Sequence, residues 1–210
     1  MMTNNDRLKT LLGYSIPSII AMILSTTLTL TDGYFVGNYV GEKALSSINL
    51  GLPILYLYLG LGLCIGVGGS VISGQLIGRN DRDKASSVFT ESIVTALAIT
   101  LLLSAGVYLL FNPILRLLKA EGELSVFFKS YYRVMLFSYP LLVLTTIFGM
   151  FIRTDGRPQV FMGISLLESV LNFILDYVFL KKLNMGVKGS AYATLIVKVV
   201  SCTICILYFL

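Results

Sequence analysis

The chain has 210 residues, of which 56% are hydrophobic and only 13% are charged, and its mean hydropathy is +0.84. A soluble domain carries about 25% charged residues, so this composition excludes an ordinary soluble protein and predicts a chain that lies mostly in lipid. The net charge of +5 comes mainly from short loops between apolar runs. Such loops suit a bilayer surface, and without a basic surface of interleaved aromatic residues we expect no nucleic-acid partner.

Six apolar runs are long enough to cross a hydrocarbon core, which takes about 20 helical residues. They cover residues 11–36, 44–77, 92–111, 134–152, 160–180 and 189–210. We therefore predict an all-α membrane protein, a six-transmembrane-helix bundle that forms one unit over residues 1–210. The second run would extend roughly 50 Å as one helix, so it must tilt, bend or project beyond the bilayer.

The first run follows two basic residues and is longer than the apolar part of a signal peptide, so we interpret it as a span. Six crossings place both termini on the same side of the membrane. The two sides carry seven and eight basic loop residues, so charge counting does not fix the orientation. The last run ends at Leu210 without a polar tail, and we expect a truncated or half-length product.

Asp32 is a lone carboxylate near the end of the first run. Intramembrane charges are costly and usually face a cavity that handles ions or substrates. In the fifth run, Glu168, Asn172 and Asp176 recur every four residues, which places them on one helical stripe. In the sixth run, Thr194 reaches the depth of this stripe. Three helices can thus contribute to one polar site, about one turn from the ends of the first and fifth spans.

Two carboxylates that share a low-dielectric cavity are difficult to ionise together. Asp32 and Asp176 can therefore carry a proton, bind Na⁺ with oxygens of Asn172 and Thr194, or hold a cationic substrate, and the sequence does not choose among these. The simpler alternative is that each polar side chain only hydrogen-bonds a neighbouring helix.

Lys198 lies one turn beyond Thr194 and is costly in a membrane unless it is paired. Glu168 is the acidic residue at a matching depth, so we predict that the two form a pair. The alternative is that Lys198 extends its stem towards water.

Enzymatic chemistry has little support in the sequence. Cys202 and Cys205 form a C-x-x-C without a second pair or any histidine, and we interpret them as buried apolar residues. No Walker A motif and no nucleophile–base arrangement is present. We expect that the protein is not an enzyme and holds no cofactor, and that its energy comes from an ion gradient or a partner.

Five segments occur in the order and at the spans of a known family. They are residues 32–37 (DGYFVG), 78–85 (GRNDRDKA), 153–158 (RTDGRP), 171–176 (LNFILD) and 186–194 (GVKGSAYAT). Together they resemble the amino-terminal lobe of the multidrug and toxic compound extrusion (MATE) family, over nearly the whole chain.

The resemblance implies a twelve-helix exporter made of two six-helix lobes, which exchanges H⁺ or Na⁺ for cationic amphipathic drugs. It implies that Asp32 is the coupling carboxylate, with Asn172, Asp176 and Thr194 around it. It also implies a bacterial plasma-membrane protein with both termini and the loops 78–84 and 153–157 in the cytoplasm. The missing carboxy-terminal lobe or a second copy of the chain would then be a partner.

Three positions depart from the family pattern. Glu168 stands where a small residue is expected, Lys198 where a neutral polar residue is commoner, and Ser25 where some members have a longer amide. These departures bear on the identity of the coupling ion. Two alternatives remain on other grounds: a flippase for lipid-linked oligosaccharides, which shares the bundle architecture, and a truncated membrane protein that does not transport, which the missing lobe favours.

Overall fold

The computed structural model describes residues 4–210, which are helical almost throughout and contain no β-strand in that range. Six helices in the described chain are long and apolar enough to cross a membrane, which confirms the predicted fold class. The helices are α1 (Asn4–Tyr39), α2 (Glu42–Leu50), α3 (Leu52–Gly78), α4 (Arg82–Leu109), α5 (Phe111–Leu117), α6 (Glu123–Thr154), α7 (Pro158–Asp176) and α8 (Val187–Phe209).

The long second apolar run forms two helices. The chain breaks at Gly51, between the short α2 and the spanning α3, and Pro53 lies in the first turn of α3, where its missing N–H removes no helical hydrogen bond. A side chain at Gly51 would overlap the ring of Tyr132 on α6. The excess length of the run is therefore absorbed by a separate helix.

Other spans are longer than their apolar runs. Helix α4 begins at Arg82 and α6 begins at Glu123, so each includes polar turns before the hydrocarbon segment. The connection after the third span contains the short helix α5. Hydropathy marks the part of a helix that lies in lipid, and polar turns beyond it stay helical.

Helix α6 is the central element of the bundle and packs against α2, α3, α4 and α8. The hydroxyl groups of Tyr58 on α3 and Ser104 on α4 share a hydrogen bond of 2.7 Å. Ser104 also donates a hydrogen bond to the carbonyl of Leu136 on α6 at 3.0 Å. Tyr58 is fully buried against Tyr139. This network fastens three spans where the helices pack most closely.

Helix α1 packs along α7, which in turn packs on α8. Ser169 on α7 donates a hydrogen bond to the carbonyl of Leu24 on α1 at 3.1 Å, and the rings of Phe35 and Phe173 meet edge to face at 5.3 Å. This pairing brings α1 beside the polar stripe of α7.

Candidate functional site

The polar stripe of α7 faces the interior of the bundle. Glu168, Asn172 and Asp176 are all buried, and Asn172 and Asp176 have no exposed surface. Directly after Asp176 the helix widens into a π-helical turn, Tyr177–Lys182, a distortion that is often found at functional sites.

Helix α8 supplies Thr194 and Lys198, which are both buried. The Lys198 ammonium group donates a hydrogen bond to Glu168 Oε1 at 2.9 Å, and the two side chains are only 9% and 10% exposed. This is the contact predicted from the sequence. A buried ion pair of this kind offsets the desolvation of both charges, and loss of either partner strands the other.

Helix α1 brings Asp32 to the same place. Its half-buried carboxyl group lies next to the side chains of Asp176, Asn172 and Thr194. Asp32 is about two turns from the end of α1 at Tyr39, not the single turn expected, because the helix continues past the apolar run. The four predicted coupling residues thus lie together, contributed by α1, α7 and α8.

Most polar atoms of this group have no hydrogen-bond partner. Within this group of four residues, the buried atoms without a partner are Asp32 Oδ1, both carboxylate oxygens of Asp176, both amide atoms of Asn172 and the Thr194 hydroxyl. Buried polar atoms are nearly always paired, so each exception needs an explanation. A cluster of carboxylate, amide and hydroxyl oxygens is suited to a proton or a hard cation.

The cluster is not a conventional metal centre. No group of three or more His, Cys, Asp or Glu side chains is positioned to hold a metal ion within the described residues. The site instead combines two carboxylates with neutral oxygen donors.

A cavity of about 160 Å³ opens beside the cluster, between α1, α2, α3, α6 and α8. Asp32, Thr194 and Lys198 line it, while Asn172 and Asp176 lie behind them. Ser25, an expected secondary residue, is exposed and also lines the cavity. Glu168, the other secondary candidate, does not reach the lining and contacts the cavity only through Lys198.

One wall of the cavity is aromatic, and sequence analysis did not identify it. Tyr131, Tyr132 and Tyr139 on α6 line the cavity, together with the unpartnered hydroxyl of Ser138. Tyrosine faces attract organic cations. The available signal was the helical recurrence of Tyr131, Met135, Ser138 and Leu142, which in an apolar helix reads equally well as core packing.

An exposed ion pair away from the cavity joins the start of α2 to the start of α6. Lys43 Nζ lies 2.7 Å from Glu123 Oε2 at the start of α6. The hydrogen bond to that carboxylate holds the pKa of Lys43 above its ordinary value. Both side chains are well exposed, so the pair contributes little to stability.

Six spanning helices and a partnerless acidic cluster beside an internal cavity are features of the membrane transporter class. The sequence profile of the MatE family matches residues 17–178, and this chain belongs to that family. The chain is 33% identical over 202 residues to the multidrug export protein MepA of Staphylococcus saprophyticus and 32% identical over 203 residues to MepA of Staphylococcus aureus. Both alignments cover 96% of this chain and 45% of the relative.

Solved structures of MATE and MOP superfamily transporters also match this chain over less than half of their own length. An outward-facing multidrug resistance MATE transporter of the MOP superfamily superposes with a TM-score of 0.89 at 28% identity, over 96% of this chain and 44% of that one. A MOP superfamily transporter from Pyrococcus furiosus, whose binding pocket is described as reversed in polarity, gives 0.88 at 28% identity over the same shares. The chain therefore spans less than half the length of the relatives it matches, and corresponds to one six-helix lobe.

Proposed function

We propose that this chain forms the amino-terminal lobe of a secondary active exporter, which moves cationic amphipathic compounds out of a bacterial cell in exchange for H⁺ or Na⁺. The observation that carries the proposal is the group of unpartnered carboxylate, amide and hydroxyl atoms around Asp32 and Asp176, beside a tyrosine-walled cavity. The multidrug export function named for the MepA relatives supports the same substrate class.

In the proposed exchange, the coupling ion and the organic cation compete for the negative charge of Asp32. When the coupling ion is absent, Asp32 presents a carboxylate to the cavity and attracts an organic cation, whose apolar part packs on the tyrosines. When H⁺ or Na⁺ enters the cluster, with Asn172 and Thr194 as neutral ligands, the attraction is lost and the organic cation leaves. Two ligands that weaken each other's binding in this reciprocal manner are coupled thermodynamically.

The proposed assembly contains a second lobe, either a carboxy-terminal half or a second copy of this chain. We place both termini and the Arg-rich loops 78–84 and 153–157 in the cytoplasm, in line with the preference of short cytoplasmic loops for basic residues. Helix α1 would then lie at the boundary between the lobes, since Ser25 and Asp32 face the cavity from it.

The test is efflux of ethidium from cells that express the complete reading frame containing this chain. The proposal predicts efflux above the vector control that stops when the ion gradient is collapsed. A protonophore distinguishes H⁺ coupling, and Na⁺-free medium distinguishes Na⁺ coupling. No gradient-dependent efflux with a panel of organic cations would contradict the proposal and favour a membrane protein that does not transport.

The charge of the cavity supports a drug exporter rather than a flippase for lipid-linked oligosaccharides. A pyrophosphate headgroup requires several free basic groups. Lys198 is the basic side chain that lines the cavity, and Glu168 already neutralises it. Asp32 faces the same space, so the cavity favours cations.

A further inference from the structure

Lys198 is the residue of the site that neither the coupling chemistry nor simple packing explains. It is buried and paired with Glu168 at 2.9 Å. It also lines the same cavity as Asp32 and Thr194, and its charge is near enough to attract the carboxylate of Asp32. Two carboxylates are therefore near this side chain: Glu168, its hydrogen-bond partner, and Asp32, which lines the same cavity.

The connecting geometry allows Lys198 to change partner. Lys198 is one turn from Thr194 on α8, and Thr194 lies beside Asp32. Lysine carries its charge on a flexible four-carbon stem, so a change of side-chain rotamer can redirect the ammonium group while α8 stays in place. Either carboxylate would keep the buried lysine charged and satisfied.

We propose that Lys198 is a tethered counter-cation of the Asp32 site, which pairs with Glu168 while an external cation occupies the site and turns to Asp32 when that cation leaves. The inference rests on the proposed function, because it assigns a step of the same exchange. Lys198 thereby competes with both the coupling ion and the organic cation, and prevents Asp32 from standing as an unpaired charge between them. Glu168 is the positioning residue, because it binds Lys198 while the cation occupies the site.

The decisive variant removes both charges of the pair together, Glu168→Gln with Lys198→Met. This double change leaves the net charge unchanged, strands neither partner and keeps side chains of similar length. A pair that only fastens α7 to α8 predicts altered stability and an unaltered cation site. The matched control is Lys43→Met with Glu123→Gln, which neutralises the exposed ion pair at the start of α6.

The first measurement is a thermal double-mutant cycle on the purified full-length protein in detergent. In a Cys64→Ser background, which removes the exposed thiol, a thiol-reactive fluorophore reports unfolding because Cys202 and Cys205 are buried. Asp32→Asn relieves the repulsion from Asp176 in both backgrounds, but only in the parent does it also remove the attraction of Lys198. We expect Asp32→Asn to raise the melting temperature more in the neutral-pair variant than in the parent, by roughly 2–4 °C. In the Lys43/Glu123 control background its effect should equal that in the parent.

The second measurement is ethidium binding and efflux. Without the tethered competitor, the dissociation constant for ethidium should fall about fivefold or more. Efflux by the neutral-pair variant should show a lower KM and also a lower kcat, because nothing displaces the bound cation from Asp32. A structural role would reduce the amount of folded protein and leave KM unchanged.

The outcomes test the exchange of partners, the competition at the Asp32 site and the proposed function separately. Equal effects of Asp32→Asn in the parent and neutral-pair backgrounds would overturn the exchange of partners, whatever the protein transports. An ethidium dissociation constant that is unchanged in the neutral-pair variant would overturn competition at the site. Failure of the parent to bind or export organic cations would contradict the proposed function, while the thermal cycle would still decide the contact between Lys198 and Asp32.

Discussion

At the scale of single residues, the site combines two acids that have few partners with one base that is paired. Asp32 and Asp176 lie side by side on α1 and α7, while Lys198 is paired with Glu168. Unpaired buried carboxylates destabilise a fold, and the proposed function accounts for this cost through reversible binding of a cation. The Glu168–Lys198 pair keeps a third carboxylate from adding to the repulsion.

Glu168→Gln tests the buried pair at this scale. We expect the substitution to destabilise the protein by about 3 kcal/mol, because it leaves the buried ammonium group of Lys198 without its charged partner. Adding Lys198→Met should restore most of the lost stability. Thermal unfolding with the thiol-reactive fluorophore measures both changes.

The matched control is Glu123→Gln, which removes the acid of an exposed pair and should leave the melting temperature nearly unchanged. A Glu168→Gln variant as stable as the parent would show that Lys198 does not depend on Glu168.

The sequence revealed those site residues that are anomalous in lipid. Asp32, the stripe on α7 and Lys198 are polar side chains in apolar runs, so their energetic cost makes them visible without a structure. The contribution of Tyr131, Tyr132 and Tyr139 to the cavity was not predicted, because tyrosine is common in membrane helices. Whether such a residue lines a cavity depends on the neighbour that it faces. Only the arrangement of α1, α2 and α6 around one cavity distinguishes a cavity wall from core.

At the scale of elements, six spans and their order could be predicted, and their ends could not. Hydropathy marks where a helix meets lipid, but α4 and α6 begin in polar sequence. The division of the second run at Gly51 depends on a long-range contact, because the ring of Tyr132 occupies the space that a side chain would need. The sequence around Gly51 does not reveal that the Tyr132 ring lies beside it.

Gly51→Ala tests this contact between elements. The added methyl group would overlap the Tyr132 ring, which also donates a hydrogen bond to the carbonyl of Ile48 at 2.7 Å. We expect a loss of about 1–3 kcal/mol in stability from the overpacking, together with weaker ethidium binding because Tyr132 lines the cavity. Thermal unfolding and ethidium titration measure the two effects.

Gly60→Ala is the control within α3, where no atom lies within 4 Å of the added carbon. It should be neutral or stabilise the helix by up to about 1 kcal/mol. Equal effects of the two substitutions would contradict the close approach at Gly51.

At the scale of the whole molecule, the lobe contains the whole Asp32 cluster but matches less than half the length of its relatives. The cluster is assembled from α1, α7 and α8 alone, so the proposed ion binding would need no residue from outside the lobe. Export requires a pathway that opens alternately to each side, which the proposed second lobe would complete. The proposed export mechanism depends on the orientation of the lobe in the membrane. Counts of basic loop residues do not fix that orientation.

Cysteine labelling tests the orientation. In a Cys64→Ser background, a membrane-impermeant maleimide should label Glu121→Cys in intact cells and Arg79→Cys only after permeabilisation, because the turn after α3 is placed in the cytoplasm. Both positions are exposed, so both are chemically accessible from their own side. The opposite pattern would invert the proposed topology.

The measurement that tests the account most directly is gradient-driven ethidium efflux by the complete protein with Asp32→Asn, compared with Asp83→Asn. Asp83 is an exposed acid at the start of α4, so its substitution should leave efflux at the parental rate. Asp32→Asn preserves the shape of the side chain but removes the charge that the ion and the drug share. The account predicts that coupled efflux falls at least tenfold while the protein remains folded, and efflux at the parental rate from the Asp32→Asn variant would contradict it.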